Sequence, residues 1–200
     1  MPRQGSIGSP CGPDGSAFDD VSTNHELIES QSPYQGSFFS VHVDRIRLPN
    51  GREATREIVR HPGAAAVVPL KDGAVLLVRQ NRHAVGADLL EIPAGKLDVP
   101  GEDPLDCARR ELKEETGYVA GTFESLGVFY SSPGFTDERF YLYLATELEQ
   151  VAPAPDHDGG EPISIEWLRL DGAVDAVTTG KIVDAKTALG LVLARLKGQR

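Results

Sequence analysis

The chain has 200 residues, 40% of them hydrophobic, and a net charge of −10 from 20 basic and 30 acidic side chains. That length fits one domain with a sizeable core, and the acidic balance argues against nucleic-acid binding, which needs a basic patch. No apolar run is long enough to span a membrane; the two cysteines, Cys11 and Cys107, offer no disulfide framework; and the Gly/Ser/Pro-rich N-terminus has no hydrophobic signal core, so a cytoplasmic location is expected by default.

Residues 1–33 read as a flexible tail, low in large apolar side chains. Residues 38–48 alternate apolar and polar, which predicts a strand. Asn50-Gly51 is a strong hairpin turn, and residues 55–60 return as the partner, so 34–62 form an N-terminal β-hairpin region. Residues 64–70 and 74–79, joined at Lys71-Asp72-Gly73, make a second hairpin, more apolar and expected to be central. Residues 89–92 are a short strand. Asp103 caps a helix, Pro104 suits its first turn, and Gly117 stops it. Residues 121–130 and 139–146 read as strands around a Ser-Pro-Gly loop. Residues 151–160 are an acidic Pro/Gly loop, and 163–168 a last strand. Residues 171–179 and 184–197 read as helices. Mixed strands with a few helices suit an α/β class and an α/β/α sandwich with a mixed central sheet.

The segment from Gly95 to Tyr118 is the most informative. It places Glu102, Arg110, Glu111, Glu114 and Glu115 in one loop and one short helix. At about 100° per residue, Glu111 and Glu115 share a face and Glu114 lies beside them. Leu105, Ala108 and Leu112 form the neighbouring stripe, which can pack on a core. Like charges at this spacing repel, so the cluster costs stability unless something offsets it. A hard divalent cation, Mg²⁺ or Mn²⁺, would do so, because both prefer oxygen ligands. Arg110, one helical turn before Glu114, can also hold a carboxylate in place. Charge runs are usually solvated helix faces. Here a Gly loop, a capped helix and a fixed Arg-Glu-x-x-Glu-Glu order coincide.

These residues resemble the Nudix box, in which a Gly loop and a Glu precede Arg-Glu-U-x-Glu-Glu-x-Gly-U, with U a bulky apolar residue. Every defining position from Glu102 to Tyr118 matches; the departure is one extra residue between Gly95 and Glu102. The loop from Pro93 to Glu102 is similar to that of ADP-ribose pyrophosphatases. Segments around Arg56-Glu57, at Gln80-Asn81-Arg82, from Leu90 to Gly95, from Ser132 to Arg139 and from Gly160 to Trp167 look like that branch in the same order. The resemblance implies a Nudix hydrolase domain over 63–200 and a homodimer through the hairpin at 34–62. It implies metal-dependent hydrolysis of ADP-ribose, or a related ADP-sugar, to AMP and a sugar phosphate. Another nucleotide-sugar or oxidised-nucleotide pyrophosphatase is the rival within the class. A non-catalytic ADP-ribose sensor is the rival outside it.

Roles follow from the resemblance. Glu111 and Glu115 are the first metal ligands, with the backbone carbonyl of Ala94 and with Glu102 as loop organiser or water-mediated ligand. Glu114 either ligates or pairs with Arg110. Glu161, in the loop before the last strand, is the candidate base, with Asp158 second; either could instead belong to a solvated loop. Arg110, Glu114 and Glu161 make up the expected catalytic set. Arg56, Glu57, Arg82, Glu91, Gly134 and Glu138 are the expected substrate contacts. Arg82 is suited to bidentate phosphate contacts, or is a surface arginine. Glu138 borders the cleft, or pairs with Arg139 or Arg82. Phe38 or Phe39 stacks on a base or packs in the core. His42, His61 and His83 show no ligand spacing and are read as structural, and Cys107 as a small packed residue.

Overall fold

The computed structural model describes residues 25–153, 157–158 and 161–198. It begins with a sheet of three antiparallel strands: β1 (Glu26–Gln35), β2 (Ser40–Arg47) and β3 (Glu53–Arg60). Two strands were expected here, with residues up to 33 in the tail. Strand β1 escapes periodicity because it is an edge strand exposed almost throughout, so no apolar alternation marks it. Its register slips between Gln31 and Tyr34, around Pro33, a residue that edge strands and bulges tolerate. Backbone pairing with β2 holds it, helped by exposed ion pairs from Arg45 to Glu29 (3.1 Å) and from Arg47 to Glu26 (2.6 Å).

The main sheet follows: β4 (Ala64–Lys71), β5 (Ala74–Arg82), β6 (Ala87–Glu91), β7 (Ala94–Lys96), then helix α1 (Pro104–Thr116), β8 (Tyr118–Tyr130) and β9 (Arg139–Gln150). A two-residue pair, β10 (His157–Asp158) and β11 (Glu161–Pro162), precedes β12 (Ser164–Arg169), α2 (Leu170–Thr178) and α3 (Ala185–Lys197). The strand order is β12-β5-β4-β9-β8, with β6 on β5 and β7 on β4. Strands β4 and β9 run parallel and the other pairs antiparallel.

Strand β4 explains the layering. Its near-continuous apolar run is buried on both faces, as a central strand requires. Ala66 and Val68 face a core shared with Ala173 and Val174 of α2 and Leu191 and Ala194 of α3. Ala65 and Val67 face the opposite core, with Cys107, Ala108 and Leu112 of α1. The result is the expected α/β/α sandwich with a mixed sheet.

Two features position the site. Strand β7 pairs Ala94 with Ala66 and Gly95 with Ala65, pinning the loop before α1 to the central strand. The N-terminal sheet is stitched to the loop between β8 and β9: Val59 N–H donates to Phe135 O (2.8 Å), His61 N–H to Asp137 Oδ1 (2.9 Å), and Arg60 pairs with Asp137 (3.1 Å). No helix among the described residues is long and apolar enough to cross a membrane.

Candidate active site

Helix α1 starts and stops where its chemistry dictates. The Asp103 side chain accepts from Leu105 N–H (2.8 Å), Pro104 opens the first turn, and Gly117 closes it with φ +74°, a left-handed conformation that glycine adopts without strain. With the apolar stripe buried, the acidic face meets the β7 segment. Glu115 is 6% exposed, and its Oε2 accepts from Ala94 N–H at 3.1 Å. The Glu111 carboxylate lies so close to Gly95 that a Cβ there would fall on it. The two glutamates therefore flank the same two backbone residues.

Arg110 is the hub of the remaining carboxylates. It grips Glu102 with two nitrogens (2.9 and 3.0 Å) and reaches Glu111 (2.6 Å) and Glu114 (3.0 Å). Its hydrogen bonds hold Glu102 below the usual carboxylate range. Among the described residues no three His, Cys, Asp or Glu side chains stand together as a metal cluster; Arg110 instead bonds three glutamates. The donors nonetheless fit a hard divalent cation. Glu111 and Glu115 offer carboxylate oxygens beside the Ala94–Gly95 backbone, the donor type such a cation prefers.

The cleft that these carboxylates border is also lined by two cations, Arg82 and Lys186, each paired with a carboxylate. Arg82 donates to both oxygens of Glu91 (2.6 and 2.8 Å), and Lys186 of α3 ion-pairs with Glu91 as well. Glu91 is 1% exposed. Burial works to raise its pKa, but the Arg82 hydrogen bonds and the Lys186 charge outweigh burial and hold it below the usual carboxylate value. Burial, with Glu111 and Glu102 nearby, pushes the Cys107 thiol up to about 12, so it is a packed thiol and a poor nucleophile.

The cleft has a volume of about 850 Å³. Of the residues singled out in the sequence, Arg82, Ala94, Arg110, Glu111, Glu114, Glu115 and Glu138 line it. Glu138 takes neither partner expected of it: Ser131 Oγ donates to it (2.6 Å) and His61 Nδ1 stands 3.7 Å away. Glu102 joins through Arg110. Glu91, expected at the border, is buried behind Arg82 and holds it. Arg56 and Glu57 are exposed on β3, and neither they nor Gly134 is among the lining residues. Glu161 lies in β11, and its side chain, like that of Asp158, is outside the described residues. Sequence reasoning missed Lys186 and Asp184; the only signal was a helix-capping Asp two residues before a Lys. His61, read as structural, accepts from Gly63 N–H through Nδ1 (3.1 Å) and lines the cleft edge-on to Phe38 (5.5 Å).

Glu91 and Glu102 both have folded pKa values below the ordinary 4.5. Their stabilisation is therefore fully present above that pH and is lost as pH falls from there through the folded values. The thermal midpoint should hold from neutral pH down to that region and then drop. Glu91→Gln should shrink the drop; an equally steep fall in that variant would contradict the assignment.

Comparison with known proteins agrees with this geometry. Residues 59–188 match the NUDIX domain model, and residues 26–59 match the nucleoside diphosphate sugar hydrolase N-terminal domain. An ADP-ribose pyrophosphatase of Bacillus subtilis (strain 168) is 38% identical over 177 residues, covering 88% of this chain and 95% of its own. The ADP-ribose pyrophosphatase of Mycobacterium tuberculosis (strain ATCC 25618 / H37Rv) is 39% identical over 168 residues, covering 84% and 81%. A methanol dehydrogenase activator of Bacillus methanolicus is 39% identical over 173 residues, covering 86% and 93%. A solved structure of an ADP compounds hydrolase shares the fold, with a TM-score of 0.76 at 24% identity, covering 88% of this chain and 95% of its own. With the box on α1, the cleft beside it and a family match over most of its length, this chain belongs to the NUDIX domain family.

Proposed function

We propose that the chain hydrolyses the diphosphate of ADP-ribose, or of a related ADP-sugar, to AMP and a sugar phosphate. The observation that carries this reading is the cleft itself, lined both by the carboxylates of α1 and by the cations Arg82 and Lys186. The two ADP-ribose pyrophosphatases at 38% and 39% identity supply the substrate class. Glu111, Glu115 and the Ala94 carbonyl, with Glu102 behind, would hold Mg²⁺ or Mn²⁺, which would neutralise charge on the diphosphate and make the attacking water more acidic. Arg110 keeps Glu102, Glu111 and Glu114 oriented. Arg82 receives a phosphate oxygen, while Glu138, at the cleft wall, faces the sugar side. Glu161 accepts the proton of the attacking water, with Asp158 as the second choice. The reading includes a cytoplasmic homodimer built on residues 34–62, in which exposed Arg56 and Glu57 serve the partner's cleft.

Turnover of ADP-ribose, ADP-glucose, GDP-mannose and 8-oxo-dGTP tests the substrate choice. The highest kcat/KM should fall on ADP-ribose or ADP-glucose; a preference for GDP-mannose or the oxidised nucleotide would overturn it. Arg56→Ala should raise KM for ADP-ribose about tenfold with kcat little changed, the mark of lost ground-state binding. An unchanged KM would remove the N-terminal sheet from the site.

A further inference from the structure

The family motif does not account for the cation on α3. Lys186 stands in the first turn of that helix, two residues after its N-cap Asp184, and lines the cleft. Its Nζ reaches Glu91 Oε2, and Asp184 Oδ2 at 3.1 Å. Asp184 Oδ2 also accepts from Thr187 N–H (2.9 Å) and Thr187 Oγ1 (2.6 Å), while Thr187 Oγ1 accepts from Ile92 N–H (2.9 Å). The start of α3 is thus wired to the end of β6, immediately before the backbone of Ala94 and Gly95.

The charges make the consequence concrete. Glu91 is buried, and one of its oxygens, Oε2, takes both Arg82 Nη2 (2.8 Å) and Lys186. With Lys186 present, two cations share that carboxylate, so Arg82 keeps an attraction for an anion in the cleft. Without Lys186, Arg82 alone must neutralise the buried Glu91 and has less charge to offer a diphosphate. Asp184 pairs with Lys186 from the other side and is itself held by the amide and hydroxyl of Thr187, so it anchors the ammonium beside Glu91.

We propose that Lys186 is a positioning residue for the diphosphate: it shares the buried Glu91 carboxylate with Arg82, and so holds Arg82 in place and available at the cleft wall. This deepens the proposed function and rests on it. Lys186 acts through Arg82 rather than by a separate contact, so the two residues must behave as a unit.

The test is steady-state kinetics on ADP-ribose for the full chain and for Lys186→Met, Lys186→Arg, Arg82→Met and the double variant Arg82→Met with Lys186→Met. Lys186→Met should raise KM about tenfold with kcat within about twofold. Lys186→Arg, which keeps the charge, should recover most of the loss. The double variant should be no worse than Arg82→Met by more than about twofold, since coupled residues are not additive. Independent, additive effects, or a KM untouched by Lys186→Met, would overturn the inference. Should Lys186→Met fail to fold, Lys186→Gln, which removes the charge but keeps a polar side chain, takes its place. That variant should show the raised KM, and a wild-type KM would overturn the inference. A parent chain that cleaves no nucleoside diphosphate compound sinks the proposed function instead, which separates the two failures.

Discussion

Glu115→Gln should fold as the parent does and lose turnover by about a hundredfold or more, beyond the range typical of residues that only support a metal ligand. The expectation comes from where the side chain sits. Glu115 is nearly buried against the Ala94 backbone, next to Gly95, on which Glu111 packs. Glutamine keeps the volume and an oxygen that can still accept from Ala94 N–H. Only the charge and one anionic donor are removed, which a hard cation needs and the fold does not. Thermal unfolding and kcat on the same preparations check the two halves. An unfolded variant would make Glu115 a structural residue, and near-parental kcat would remove it from the metal site.

Gly95→Ala should be almost as damaging, about a hundredfold in kcat, because misplacement of a reacting group by about 1 Å has that effect. A methyl group at residue 95 would occupy the position of the Glu111 carboxylate. The glycine is therefore demanded by a side chain packed on the backbone. Strand β7 is held by β4 on its other side, so the loop cannot retreat to make room. Glu111 must swing away, and Arg110, which it contacts at 2.6 Å, is pulled with it. Retained activity in Gly95→Ala would mean that Glu111 works from another position.

Much of this could be read from the chain alone, and the reasons differ from place to place. Helix α1 was legible because its boundaries are chemical: Asp103, Pro104 and Gly117 each do one local job. Strand β4 was legible because burial on both faces leaves only apolar residues. Strand β1 was not, because an exposed edge strand held by backbone pairing and scattered ion pairs carries no period. Strand β7 was hidden for a different reason: it spans only Ala94–Lys96, too short for any pattern.

The site divides in the same way. The carboxylates of α1 lie close in sequence, so spacing alone put them on one face. The cationic part of the cleft joins Arg82 and Glu91 to Asp184 and Lys186, roughly a hundred residues later, and no local pattern links them. Glu91 shows the limit most clearly. The resemblance put it among the substrate contacts, yet its carboxylate is taken up by Arg82 and Lys186.

The measurement that bears most directly on the central claim is product analysis of ADP-ribose incubated with the full chain in Mg²⁺, in Mn²⁺ and in EDTA. AMP and ribose 5-phosphate should form in equal amounts with either metal and not in EDTA. Cleavage that continues in EDTA, or ADP-ribose that binds and stays intact with metal present, would contradict the assignment of this cleft to metal-dependent hydrolysis of the diphosphate.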